Sequence, residues 1–126
     1  MPAVDTNVLV RLLTADDPAQ TARAEAFLAC GPVWVSTVVL VEAVWVLSAV
    51  YGWNKAQLLA MLAALADSRD FVVQEPFAVA EAIASFSQHT ADFADCLALE
   101  LARASDHLPF ATFDARAARL PGAVKP

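Results

Sequence analysis

The chain is poor in glycine, cysteine and histidine, and each shortage excludes a class of site. Three scattered glycines among 126 residues cannot build a P-loop or the glycine fingerprint of a dinucleotide-binding fold. The two cysteines, Cys30 and Cys96, have neither the paired spacing of a zinc site nor that of a redox motif. Because His89 and His107 show no ligand spacing either, a zinc centre is not expected.

The chain also lacks the features of an export signal at its first residues. Together with the unpaired cysteines, this predicts a reducing cytoplasm as the location of the protein. We expect both Cys30 and Cys96 to be small core residues.

Basic residues are scarce, with 8 Lys and Arg against 14 Asp and Glu and a net charge of −6. This balance argues against a protein whose whole surface attracts nucleic acid, because such proteins carry a basic face. Nucleic-acid binding would still be compatible with this charge if several of the acids lay in one site and divalent cations neutralised them. The length of 126 residues predicts a single domain, and the 59% of hydrophobic residues predicts that some apolar surface meets another subunit.

Residues 33–51 form the only apolar run that approaches the length of a membrane span. Glu42 lies near its centre and no cluster of Lys or Arg flanks it, so a membrane span is not expected. Instead, we predict a buried strand followed by a helix that starts at Ser36 or Thr37 and ends at Gly52.

Glycines and prolines separate the periodic segments along the whole chain. Between them lie short apolar runs, separated by one or two predicted helices, at residues 2–5, 33–35, 71–74 and 108–113. A last edge strand is expected over 121–124. This βα alternation predicts an α/β fold with a parallel sheet covered by helices on both faces, within one domain over residues 1–126.

Two acids follow directly after predicted strands: Asp5 in VDTNVLV and Asp114 in FATFDARAARL. Each is placed to cap the next helix, where a side-chain oxygen accepts from the free N–H groups of the first turn. Each also lies where parallel sheets bind ligands, beyond the carboxyl end of a strand. Cap and ligand therefore remain open alternatives for both.

Glu42 has no capping role, because it lies in the middle of a predicted helix. Its neighbours at helical spacing are Val38, Val39, Trp45 and Val46, which predicts apolar surroundings for its carboxylate. A buried carboxylate without a partner binds a proton or a cation. The alternative is an acid at the helix edge paired to an arginine.

Asp92 and Asp95 in TADFADCLALELA are spaced i and i+3, so they project from nearly the same side of a helix that starts at Asp92. Like charges at this spacing repel. The structural alternatives are an N-cap role for Asp92 and a favourable helix-dipole interaction for Asp95.

A parallel sheet can bring all of these positions to one rim, where crowded carboxylates destabilise the fold unless a cation lies among them. Oxygen ligands without His or Cys suit a hard ion such as Mg²⁺ or Mn²⁺. The pattern therefore predicts a divalent-metal site.

Four motifs, in order along the chain, resemble the successive acidic motifs of PIN domains, in particular of VapC-type toxins: VDTNVLVRLL, STVVLVEAVWVL, TADFADCLALELA and PFATFDARAARLPGA. The resemblance implies a PIN-like α/β/α sandwich with a central parallel sheet of four to five short strands. It further implies a metal-dependent ribonuclease that uses one or two Mg²⁺ or Mn²⁺ ions to activate water.

At the matching positions the resemblance implies metal-site roles for Asp5, Glu42, Asp95 and Asp114. The first three would be the principal ligands, and Asp114 would bind a second ion or orient the attacking water. The implied supporting residues are Thr6, Asn7, Asp92 and Thr112, with Asn7 expected to hydrogen-bond to a carboxylate. The candidate contacts to substrate phosphates are Arg11, Arg116 and Arg119, which lie beside the first and last motifs.

The same resemblance implies an RNA substrate, a homodimer and a small antitoxin that covers the acidic cleft. Two alternatives remain. One is a haloacid-dehalogenase-type phosphotransfer enzyme, although that family has a second Asp where this chain has Asn7. The other is a catalytically silent PIN-like interaction module.

Overall fold

The computed structural model describes all 126 residues. They form two compact units, Met1–Gln74 and Glu75–Pro126. The elements are α1 (Thr6–Thr14), α2 (Pro18–Leu28), β1 (Val33–Val35), α3 (Thr37–Ala49), α4 (Lys55–Asp67), β2 (Phe71–Val73), α5 (Pro76–Gln88), α6 (Phe93–Ala104), β3 (Phe110–Ala111), a 3₁₀ helix (Ala117–Arg119) and β4 (Ala123–Val124).

In the first unit β1 and β2 form a parallel pair, as the sequence predicts for the two β-branched runs. The strand predicted over residues 2–5 is reduced to one parallel bridge between Ala3 and Trp34. The reason is local: Asp5 already serves as the N-cap of α1, so the extended segment ends before a longer ladder can form.

Each helix of the first unit begins at a side chain that accepts a backbone hydrogen bond. The capping residues are Asp5, Asp17, Ser36 and Asn54, and Asn54 forms a reciprocal capping box with Gln57. Such caps satisfy N–H groups that a helix leaves unpaired at its start. The helix starts near Asp17, Ser36 and Asn54 were accordingly predictable from the sequence.

The core of the first unit includes the interface between α1 and α3 and side chains of β1, which pairs with β2. Leu9, Val35 and Leu47 are completely buried there. Their burial fixes the start of α1, and with it the position of Asp5. The apolar run over residues 33–51 resolves into β1 and α3, and no helix of the structure is both long and apolar enough to cross a membrane.

In the second unit α5 packs along α6, and an edge-to-face contact joins Phe86 and Phe93, with ring centroids 5.8 Å apart. The strands predicted over 108–113 and 121–124 shorten to β3 and β4, which pair in parallel.

The cysteines differ in their surroundings. Cys96 is fully buried in α6, as predicted. Cys30, however, is exposed just after α2, so its predicted core position is wrong. The residue lies beyond the last turn of that helix, outside the face that packs.

Candidate acidic site

Asp5 lies at the end of the N-terminal extended segment, exposed to solvent. Its Oδ1 accepts a hydrogen bond of 3.0 Å from the backbone N–H of Val8. The cap therefore occupies one carboxylate oxygen, and no protein group hydrogen-bonds to the other. A capping role and a ligand role are compatible in this side chain.

The two polar residues after Asp5 differ in environment. Thr6 is buried at the start of α1, whereas Asn7 is exposed and lines a surface pocket of about 330 Å³ together with Asp5. The hydrogen bond expected from Asn7 to a carboxylate is absent from the structure. The side-chain amide of Asn7 consequently remains available to a ligand in this pocket.

Glu42 is exposed, and the prediction of a buried carboxylate in apolar surroundings is wrong. Its helical neighbours Val38 and Trp45 are themselves 71% and 63% exposed. The opposite face of α3 enters the core through Leu40 and Leu47. Solvent therefore hydrates the Glu42 carboxylate, and no arginine pairs with it.

Asp95 is the half-buried acid of the second unit. It lies in the first turn of α6 and its carboxylate makes no hydrogen bond. Burial raises the pKa of Asp95, and the nearby charges of Asp114 and Asp92 raise it further. We call Asp92, Asp95 and Asp114 the acidic cluster.

The other two members of the acidic cluster are held differently. Asp92 occupies the N-cap position of α6, but its side chain accepts no capping hydrogen bond. Asp114 is fixed, because its Oδ1 accepts from the backbone N–H groups of Arg116 at 2.9 Å and Ala117 at 2.8 Å. Thr112 adds support by accepting from the Asp114 N–H at 3.1 Å.

The acidic cluster has the donor type that a hard divalent cation prefers, but not a complete set of protein ligands. Its donors are carboxylate oxygens, and Asp95 lies among like charges with no basic side chain hydrogen-bonded to it. No group of three or more His, Cys, Asp or Glu side chains has an arrangement that could hold a metal ion. A magnesium ion commonly takes one or two carboxylates and completes its shell with water.

The three arginines predicted to contact phosphate are in different states. Arg116 and Arg119 are exposed and have no hydrogen-bonded or ionic side-chain partner. The Arg11 side chain instead bonds to Gln20 at 2.6 Å, to Asp16 at 3.2 Å and to the Tyr51 hydroxyl at 3.2 Å.

Sequence reasoning missed Arg23, which lines the pocket beside Asp5. Arg23 is 18 positions from Asp5 along the chain, and the two residues line one pocket because α1 packs against α2. The sequence gives one weak indication that Gln20 and Arg23 act together: they are spaced i and i+3 on one predicted helix and therefore lie on the same face.

The chain thus combines an α/β fold with carboxylates at a strand end and at helix starts. The PIN-domain family model matches residues 3–123, and the chain belongs to this family. The PIN domain is an α/β/α fold of the nuclease type, and its members are generally nucleases that use divalent metal ions. The predicted fold class is thereby confirmed, and the haloacid-dehalogenase alternative is set aside. Searches of curated proteins and of solved structures gave no match.

Proposed function

We propose that the protein is an endoribonuclease that uses one or two Mg²⁺ or Mn²⁺ ions to hydrolyse RNA phosphodiesters. The observation that carries the proposal is the state of Asp95 in a PIN-family chain. Its carboxylate is partly withdrawn from water beside two further acids, and no basic side chain compensates it. Such a group gains most from a bound cation.

In this proposal Asp5, Glu42, Asp95 and Asp114 each have a metal-site role, as a ligand directly or through water. When bound, a divalent ion lowers the pKa of water and neutralises charge on the phosphate oxygens. The chain itself orients the acids. The Val8 N–H fixes one oxygen of Asp5, and the turn after β3 fixes one oxygen of Asp114, which leaves the second oxygen of each free to bind a ligand or orient water.

The substrate in this proposal is an unpaired segment of RNA. Arg116 and Arg119 are exposed and have no side-chain partners, so both guanidinium groups are free to contact the phosphates that flank the acidic cluster. Unpaired RNA also exposes bases that stack on aromatic rings. Phe113, next to Asp114, is 85% exposed and offers such a ring.

We further propose that the protein is a cytoplasmic toxin of a toxin–antitoxin pair and acts as a homodimer. Large apolar side chains at the surface support a protein partner, among them Val38, Trp45 and Phe77, which is 87% exposed. An antitoxin segment over the acids would exclude substrate and keep the enzyme inactive.

The test is cleavage of a mixed RNA pool by the purified protein with Mg²⁺ or Mn²⁺, with and without a chelator. Asp5→Asn, Glu42→Gln and Asp95→Asn should each lower the rate at least about a hundredfold, because each removes a charged ligand. Glu81→Gln is the matched control, since Glu81 is an exposed acid of α5 outside the motifs.

Cleavage that persists in chelator, or full activity in all three variants, would contradict the proposal. If the wild-type protein cleaves nothing but captures an antitoxin-like partner, the chain is the catalytically silent interaction module instead. A DNA-binding antitoxin encoded beside this chain would support the toxin assignment.

A further inference from the structure

We propose that the pocket beside Asp5 is a subsite for a backbone phosphate of the RNA strand, and that Arg23 is its main cation. This inference rests on the proposed nuclease function and adds a substrate-binding residue to it. The pocket has a volume of about 330 Å³ and is lined by Asp5, Asn7, Val8, Arg11, Gln20, Arg23 and Ala24.

The pocket contains one arginine, Arg23, that no acid neutralises. Its lining contains two arginines and one aspartate, whereas the whole protein carries −6. Arg11 is paired with Asp16 at 3.2 Å, so Arg23 is the cation of the lining that has no acidic partner. An unpaired guanidinium in a small concave surface gives an anion a local binding position in a protein that is acidic as a whole.

The Arg11 side chain has a mainly structural role in this pocket, because Nε and Nη1 already donate to protein groups. Its Nε donates to Gln20, and its Nη1 donates to Asp16 and to the Tyr51 hydroxyl, which in turn donates to Asp16 at 2.5 Å. The hydrogen bond to Tyr51 and the charge of Asp16 raise the pKa of Arg11. The network holds one wall of the pocket in place and leaves only Nη2 of Arg11 without a partner.

Arg23 is open to a ligand, because nothing on its own helix competes for it. Its neighbours three and four positions away are Ala19, Gln20, Ala26 and Phe27, so no acid lies within reach along α2. It makes no hydrogen bond and no ion pair in the structure, and its side chain is exposed. A guanidinium with five free N–H donors matches the geometry of a phosphate group.

Neutral donors complete the subsite. Gln20 accepts from Arg11 through Oε1, which orients its amide and leaves the amide N–H groups unpaired. The amide of Asn7 is unpaired as well. A phosphate in the pocket would therefore meet donors from α1 and α2, with Asp5 at one edge of the lining. Because the Asp5 carboxylate repels a phosphate, we expect the phosphate of the RNA strand to bind on the side of the pocket that Arg23 forms. The neighbouring part of the RNA would then lie next to Asp5, the proposed metal ligand.

The experiment measures binding of a fluorescein-labelled, unstructured 12-nucleotide RNA of mixed sequence by anisotropy, in chelator, over a series of KCl concentrations. The variants are Arg23→Ala and Arg23→Lys. Arg69→Ala is the matched control, because Arg69 is also exposed and unpaired but lies outside the pocket. Cleavage in Mg²⁺ by the same proteins gives kcat and KM.

Arg23→Ala should weaken RNA binding about tenfold, the loss expected for one charge-assisted contact. The slope of log K against log[KCl] should fall by about 0.7, the value for one phosphate contact to a single strand. KM should rise while kcat stays within about twofold, and Arg23→Lys should restore the salt slope. Circular dichroism should be unchanged, because alanine favours the helix.

If Arg23→Ala binds and cleaves RNA like Arg69→Ala while the wild-type protein is an active nuclease, the subsite is wrong and the proposed function stands. If the wild-type protein neither binds nor cleaves RNA, the proposed function fails and the subsite fails with it.

Discussion

Replacing Asp95 by asparagine should stabilise the metal-free protein at neutral pH and have little effect at strongly acidic pH. The wild-type carboxylate is half-buried and lies near Asp114 and Asp92, and all three features raise its pKa in the folded state. Asparagine has nearly the same shape without the charge. The variant therefore removes the electrostatic cost and keeps the packing at the start of α6.

The sign follows from proton linkage. The ordinary pKa of the group, 3.8, applies to the unfolded chain, and the folded value is higher. The folded state binds its proton more tightly, so the contribution of Asp95 to stability is fully present below pH 3.8 and is lost as the pH rises through the folded pKa. Above that window the charged form of Asp95 makes the fold less stable than the protonated form does.

The magnitude at pH 7 combines two opposing effects. Relief of the i, i+3 repulsion with Asp92 is worth about 0.2–0.5 kcal/mol, and relief of the repulsion with Asp114 is of similar size. Partial burial adds to this gain, whereas loss of the favourable helix-dipole interaction subtracts about 0.3–1 kcal/mol. Because the net pKa shift is upward, we expect a net stabilisation of roughly 0.5 kcal/mol after solvent screening.

The assay is urea unfolding of wild type and Asp95→Asn in chelator at several pH values between 3 and 8. The difference in unfolding free energy should grow with pH in favour of the variant. Glu81→Gln, which removes an exposed acid of α5, controls for the change in net charge. A difference that is constant with pH, or that favours the wild type more at high pH, would refute the reasoning.

Three further substitutions test the fold by thermal unfolding. Ala15→Gly should stabilise the protein by about 0.5–1 kcal/mol, because Ala15 ends α1 in the left-handed conformation at φ 53°; an unchanged or lower Tm would contradict this. Leu9→Ala should destabilise by about 2–5 kcal/mol, since Leu9 is completely buried, and a loss below about 1 kcal/mol would mean that its packing is described wrongly. Gly122→Ala should lower the Tm by several degrees, because φ is 93° and a Cβ would lie 3.1 Å from a guanidinium nitrogen of Arg103; a wild-type Tm would show that this turn is not constrained.

The features that local chemistry determines were predictable from the sequence. Helix starts followed from capping side chains such as Asp17 and Asn54. Short β-branched runs predicted strands at 33–35 and 71–74, and the structure has them at 33–35 and 71–73. Strand lengths were not predictable in the same way. Asp5 is the N-cap of α1, so the helix begins directly after it and the N-terminal strand is reduced to a single bridge.

The features that depend on long-range packing were harder to predict. Helical periodicity predicts that Glu42, Val38 and Trp45 share one face of α3, but it does not say which face is buried, and this face is exposed to solvent. Arg23 lies beside no acidic motif, and its place in the pocket with Asp5 depends on how α1 and α2 pack. By contrast, the motifs placed Asp95 and Asp114 in one acidic site with Asp92 at its edge, and the charges of Asp114 and Asp92 do raise the pKa of Asp95.

The central claim is that the acids named by the motifs bind a divalent metal ion. Titration of the protein with Mn²⁺, followed by the electron paramagnetic resonance signal of the free ion, measures this directly. The wild-type protein should bind one or two ions, and Asp5→Asn and Asp95→Asn should each weaken binding at least about tenfold. Glu81→Gln should bind like the wild type. Wild-type affinity in both Asp variants, or no Mn²⁺ binding by the wild-type protein, would contradict the account.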